Sequence, residues 1–320
     1  MGRRPVQRVH YSSWMVYWDS VNGANALDRY ADRLEDVGVF AYHFDASGRL
    51  IPAGDMVRSH SPKMFITVVN DWAAGPATKL KDPEIVHQAI GTPQARAAHI
   101  QQLMELARAA DGVEIDYERL DLADRDAFSI FIRELASALH AQKKRLSVVL
   151  QPRLARTPES GRGGAGTIDW KAVTESVDRV RVMAYFEHSA DTPPGSIASL
   201  SWVRELAVFA LGIVPPEKLC IALHLGGFDW EDGQRGRPIE YSEAVRIAVR
   251  SGNQILFDKD SGSGYFQYSE AGKNHRVWIE TDQGLREKVE LLRRLGIGQV
   301  GLWRLGSGDP AFWESLPRVP

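Results

Sequence analysis

The 320-residue chain is 44% hydrophobic and 25% charged, an ordinary composition for a folded protein and enough for one large domain with no second one required. Its 39 basic and 41 acidic residues leave a net charge of -2, which excludes the strong global field that draws nucleic acid or an anionic membrane. The lone cysteine, Cys220, excludes an intrachain disulfide and a Cys-rich zinc site, and no apolar run reaches the length of a membrane-crossing helix.

The N-terminus is basic (Arg3, Arg4, Arg8), but His10 to Ser13 are polar where a signal peptide would carry its apolar core. The chain is therefore expected either to act inside the cell or to be a mature or trimmed form. Ser13 to Trp18 reads as a first strand, and Ala24 to Glu35 follows with helical spacing of Ala26, Leu27, Tyr30 and Leu34. Val39 to Phe44 is a second strand, closed by the turn residues Asp45-Ala46-Ser47-Gly48. Met64 to Val69 is a third, ending at Asn70-Asp71-Trp72. Thr92-Pro93 caps a helix running through Ala109, with proline in the first turn.

A fourth strand lies within Asp111-Gly112-Val113-Glu114-Ile115-Asp116-Tyr117-Glu118, and Asp121 is placed to cap a helix to about Leu139. Arg145 to Gln151 is a fifth strand, and the glycine-rich 161–166 stretch a loop. A short helix spans Asp169 to Ser176, a sixth strand Val180 to Tyr185, and a helix Ser201 to Leu211. The seventh strand, Leu219 to Leu223, runs toward Gly226-Gly227-Phe228-Asp229-Trp230. Cys220, in Lys-Leu-Cys-Ile-Ala-Leu, reads as a buried thiol that packs. From about residue 231 to 281 the rhythm breaks. A helix near Ser242 to Arg250 and strand-like Tyr265 to Tyr268 and Arg276 to Ile279, joined by a Gly272 turn, suggest an α+β insertion. Leu285 to Leu295 is a helix, Gln299 to Trp303 the eighth strand, and Asp309 to Ser315 a closing helix.

Eight strands alternating with helices predict a (β/α)8 barrel, a single α/β domain with a small α+β insertion after strand seven. The rival is a doubly wound open sheet. Polar or aromatic residues recur at strand C-termini (Trp18, Asn70, Glu118, Gln151, Tyr185, Trp230, Trp303), and only a barrel gathers them on one rim. No dinucleotide or phosphate fingerprint follows a strand.

In a strand, Glu114, Asp116 and Glu118 share one face, with Val113, Ile115 and Tyr117 on the other. Neighbours on that wall would sit about 6.6 Å apart, close enough in a low-dielectric pocket for one to keep its proton near neutral pH. That is raw material for general acid catalysis. Asp111 is out of phase with the wall and reads as structural. His43, His188 and His224 lie on strands, strand ends or a loop without any metal-ligand spacing, so neither metal nor cofactor is expected.

The stretch from Asp111 to Glu118 resembles the D-G-x-D-x-D-x-E signature of glycoside hydrolase family 18. Met183-Ala184-Tyr185 resembles the family's Met-x-Tyr at strand six, and Gly301-Leu302-Trp303-Arg304-Leu305-Gly306 its strand-eight tryptophan motif. The resemblance runs from Tyr17 to Trp313 and, with Val277-Trp278 in the insertion, is most similar to the branch of spore-cortex and peptidoglycan N-acetylglucosaminidases. It implies retaining hydrolysis in which the substrate's own 2-acetamido oxygen is the nucleophile. Glu118 would then be the general acid and base, Asp116 the group that orients the acetamide and stabilises the charged intermediate, and Tyr185 a hydroxyl holding the acetamide. Trp303 would floor the sugar site. Glu114, Gln151, Met183, Tyr17 and Asn70 complete the expected substrate-binding set, and the implied partner is an N-acetylated polysaccharide.

Two residues depart from the family pattern. Glu114 stands where an aspartate is usual. Phe186 stands where an acid commonly helps bind the acetamide, and Glu187 would face the wrong way unless a bulge re-aims it. The alternative is thus a catalytically weak or silent amino-sugar-binding barrel.

Overall fold

Eight parallel strands close on themselves in the computed structural model, which describes residues 8–53, 62–74, 77–155, 157 and 165–320. They are β1 (His10–Val16), β2 (Asp36–Asp45), β3 (Lys63–Ala74), β4 (Gly112–Asp116), β5 (Arg145–Leu150), β6 (Arg179–Met183), β7 (Leu219–His224) and β8 (Gln299–Trp303). Each pairs with the next, and β8 returns to β1 with His10 opposite Gln299 and Ser13 opposite Leu302. The helices are α1 (Ser20–Tyr30), α2 (Pro83–Ile90), α3 (Pro93–Ala107), α4 (Arg125–Ala141), α5 (Trp170–Ser176), α6 (Leu200–Leu211), α7 (Tyr241–Arg250), α8 (Asp282–Arg294) and α9 (Pro310–Ser315). The structure is a (β/α)8 barrel. Most of the glycine-rich 161–166 loop, and Arg3 and Arg4, lie outside the described residues.

Local chemistry explains most element ends. Thr92 caps α3 through a bond from the Ala95 N–H, with Pro93 in the first turn, as the sequence predicts. Asp82 does the same for α2, accepting from the Glu84 N–H ahead of Pro83. That helix is absent from the sequence reading. The Asp45 carboxylate takes the Ser47 and Arg49 N–H groups and closes the expected turn, with Gly48 at φ 81°. Gly112 opens β4 because a side chain there would lie 2.4 Å from the Arg145 carbonyl and collide with Phe65.

Three expectations are corrected. β3 does not stop at Val69; it continues to Ala74 and folds back through Ala77–Lys79, so that Trp72 faces Lys79. Backbone pairing continues because Trp72 can satisfy its polar end by donating its indole N–H to Asp82. α1 begins at Ser20 and ends at Tyr30, where one 3-10 turn takes over. The insertion begins before residue 231: Gly227–Glu231 is a strand of its five-stranded antiparallel sheet and pairs with Lys273–Ile279. Trp230 therefore belongs to that sheet and donates to the Thr192 carbonyl instead of facing the barrel mouth.

Side chains alternate along the barrel strands. Val113, Ile115 and Tyr117 point out, and the Tyr117 hydroxyl meets His99 of α3 while its ring stacks 6.2 Å from Phe131 of α4. Glu114 and Asp116 point in. Cys220 on β7 is fully buried.

Candidate active site

The barrel interior is charged. Arg179 and Arg181 of β6 face Asp36 of β2 and Glu114 of β4, all buried. Arg179 pairs with Asp36 at 2.7 Å and lies 3.6 Å from Glu114; Arg181 lies 3.3 Å from Asp36 and 3.4 Å from Glu114. Glu114 also accepts hydrogen bonds from the Trp14 indole (2.6 Å), Ser147 (2.7 Å) and Thr67 (3.2 Å). Burial alone would raise the Asp36 pKa, but the two guanidinium groups outweigh it and hold it below the usual range. The Arg181 guanidinium sits 4.1 Å from the Trp14 ring centroid. Gly38 makes the cluster possible: a Cβ there would come within 2.7 Å of both Thr67 and Trp14.

Directly above, at the C-terminal mouth, opens a cavity of about 380 Å³. Asp116, Glu118, Tyr185, Met183, Trp303, Tyr17 and Asn70 line it, so most of the residues singled out in the sequence meet there. Two do not. Glu114 is fully buried below the cavity, committed to the charge cluster, and does not line it. Gln151 reaches the site only through Glu118, donating to its carboxylate at 3.3 Å. Asp111 accepts from the Met64 N–H at 2.8 Å and ties the start of β4 to β3. His188 bonds the Pro193 carbonyl outside the cavity. A larger cavity of about 550 Å³ opens at the opposite end of the barrel, among Arg8, Glu35, Arg145 and Gln299, away from these carboxylates.

Glu118 follows the end of β4 and is held at several points. Its N–H donates to the Asn70 side-chain oxygen (2.9 Å) and its carbonyl accepts from the Asn70 amide (2.8 Å), so Asn70 spends its amide on placing the Glu118 backbone. The Glu118 carboxylate pairs with the Lys81 ammonium. Asp116 differs: its Oδ1 is buried with no hydrogen-bond partner among the described residues. Burial, then the charge on Glu118, pushes the Asp116 pKa well above the usual carboxylate range, with Lys81 opposing. Burial, then Asp116 and Glu118, raises the Tyr185 phenol, which stays a donor. His224, beside Tyr185, is held down at about 4 by burial and is neutral at neutral pH.

Trp303 presents a partly buried indole, wedged edge-on by Trp14 (5.4 Å) and Phe40 (5.2 Å). Tyr17, Trp18, Leu80 and Phe186 stand exposed around the mouth. Phe186 has φ 76°, a left-handed backbone that few bulky residues adopt, and lies against Tyr185. That turn does not bring Glu187 into the site. Its carboxylate accepts from the Ser199 N–H at the start of α6, and among the described residues the acids lining the cavity are Asp71, Asp116 and Glu118.

Lys81, Arg179 and Arg181 went unread in the sequence. Arg179-Val180-Arg181-Val182 carried a signal, since alternation puts both arginines on one face and a barrel's outer face is apolar. Lys81 carried none, because the hairpin that returns it to the mouth was not expected.

Two acids and an aromatic face at the C-terminal rim of a (β/α)8 barrel are suited to hydrolysis of a glycosidic bond. Residues 81–308 match Glycosyl hydrolases family 18, and the chain belongs to that family. It is similar to the glycosylase YdhD of Bacillus subtilis, 28% identical over 90% of this chain and 70% of that protein. Similarity also extends to the cortical fragment-lytic enzyme of Bacillus subtilis, 28% identical over 64% of this chain; the chain's match spans 48% of that relative. Among solved structures, a chitinase from Chromobacterium violaceum superposes with a TM-score of 0.86 at 25% identity, covering 96% of this chain and 98% of that one.

Proposed function

We propose that the chain is a retaining glycosidase that cleaves a β-linked, N-acetylglucosamine-containing glycan of the peptidoglycan or chitin kind, with the substrate's acetamido oxygen as nucleophile. The observation that carries this reading is one cavity lined by Asp116, Glu118, Tyr185 and Trp303, in which burial and the neighbouring Glu118 push the Asp116 pKa well above the usual carboxylate range. Glu118 delivers a proton to the glycosidic oxygen as the acetamide attacks the anomeric carbon, then takes a proton from the water that opens the cyclic intermediate. Asp116 faces the developing positive charge on the acetamide, and Tyr185 donates to its oxygen. The Trp303 indole matches the apolar face of a pyranose ring. The cortical fragment-lytic enzyme among the relatives supports peptidoglycan, and the similarity to a chitinase supports a chitin-like chain.

Replacing Glu118 with Gln keeps the shape and removes the proton. Release of new reducing ends from peptidoglycan or chitooligosaccharides should fall by about 10²–10⁴-fold with the fold intact by circular dichroism. Undiminished turnover would refute the assignment. A second reading, an amino-sugar-binding barrel without turnover, is favoured by Phe186 and by the diversion of Glu187 to α6. Wild-type protein that retains chitooligosaccharides yet releases no reducing ends from either glycan would establish it.

A further inference from the structure

The Glu118 carboxylate is not free in the cavity: Lys81 reaches it from the segment after the β3 hairpin. The hairpin sets that reach. Residues 77–79 run back antiparallel to β3, and the Lys81 N–H is fixed by the Asp71 carboxylate at 2.7 Å with Lys81 at φ 55°. The Lys81 side chain is 35% exposed and its ammonium is held against the Glu118 carboxylate. It is the one cation lining the cavity among the described residues, against the carboxylates Asp71, Asp116 and Glu118. Arg181 lies a layer below and is committed to Asp36 and Glu114.

We propose that Lys81 is a positioning residue for Glu118, holding its carboxylate oriented in the cavity through their ion pair and stabilising the charge left on it after each proton delivery. The inference rests on the reading of Glu118 as proton donor and adds a residue to it. Around the Glu118 side chain stand Asp116 from β4, Lys81 and Asp71 from the β3 hairpin region, Gln151 after β5 and Tyr185 after β6. Of these only Lys81 favours the ionised carboxylate by charge; Asp116, when ionised, and Asp71 oppose it. When Glu118 carries a proton to the glycosidic oxygen, that proton leaves with the aglycone and the carboxylate is left charged beside Lys81. The ion pair then favours the form that accepts a proton from the attacking water.

The consequence is a pH profile. The alkaline limb of kcat/KM reports loss of the essential proton in the free enzyme. Lys81→Met keeps the stem, shares the backbone cost at φ 55° and removes the charge. Its alkaline limb should move upward by about 1–3 pH units, the effect of losing an adjacent opposite charge. Its plateau should fall severalfold, because the carboxylate loses one of its anchors. Lys81→Arg should keep the wild-type limb. A Lys81→Met limb coincident with wild type would overturn the proposal. If the Glu118→Gln enzyme is inactive while that coincidence holds, the Lys81 inference alone fails; if Glu118→Gln turns over normally, the donor assignment fails first.

Discussion

Asp116 shows at the scale of one residue how the site opposes the fold. Its Oδ1 is buried without a hydrogen-bond partner among the described residues, a placement that costs stability unless the group stays neutral. The unfolded carboxyl ionises near its usual 3.8, whereas the folded one keeps its proton well above that because of burial and the Glu118 charge. The folded state thus holds an extra proton as pH rises, and a raised pKa of this kind subtracts stability with increasing pH. Asp116→Asn removes the term. Urea unfolding should show the variant gaining on wild type from pH 4.5 to pH 7, by at most about 1.4 kcal/mol per pH unit. A stability gap that does not change with pH would contradict the assignment. Glu114 illustrates the reverse case. Its sequence position promised a third acid at the substrate, but the two arginines on β6 draw it into the barrel and leave it under the site. The alternation that placed the acids was legible; the partner that claimed one of them required reading β6 by the same rule.

At the scale of elements, the strands were more legible than their ends. Gln299–Trp303 falls where its pattern predicts, because both faces are buried and glycine turns bound it. β3 outran its prediction because Trp72 and Lys79 both find Asp82 and so pay for the extra pairing. The inserted sheet is anchored to the barrel by a second buried ion pair. Lys288 of α8 bonds Glu280, after the insertion's last paired strand, and also donates to the Gly262 carbonyl at 3.0 Å and to Ser263 at 3.3 Å. Burial raises the Glu280 pKa against the pull of Lys288. Lys288→Met leaves Glu280 buried and unpaired, and thermal unfolding should show a loss of about 3–5 kcal/mol. The double variant Lys288→Met, Glu280→Gln should recover part of it. A single variant as stable as wild type would remove the anchoring role.

For the whole molecule, the barrel explains why residues spread from Tyr17 to Trp303 share one cavity: every strand ends at the same mouth, so the rim collects what the sequence disperses. Recurrent polar and aromatic strand ends make that rim legible in the sequence. The Lys81 approach was not, since it depends on a hairpin whose pairing no local pattern announced. Among the described residues every acid lining the cavity comes from β3, β4 or the residue just after β4, with none from the segment after β6, where Phe186 stands. On this account the chemistry depends on a group that the substrate brings. The direct measurement is the initial rate of cleavage of one β-linked oligosaccharide in its N-acetylated form against the same chain with the acetyl groups removed. The N-acetylated chain should be cleaved at least about a hundredfold faster, as loss of a positioned intramolecular nucleophile requires. Equal rates would contradict substrate-assisted hydrolysis and place the nucleophile in the protein.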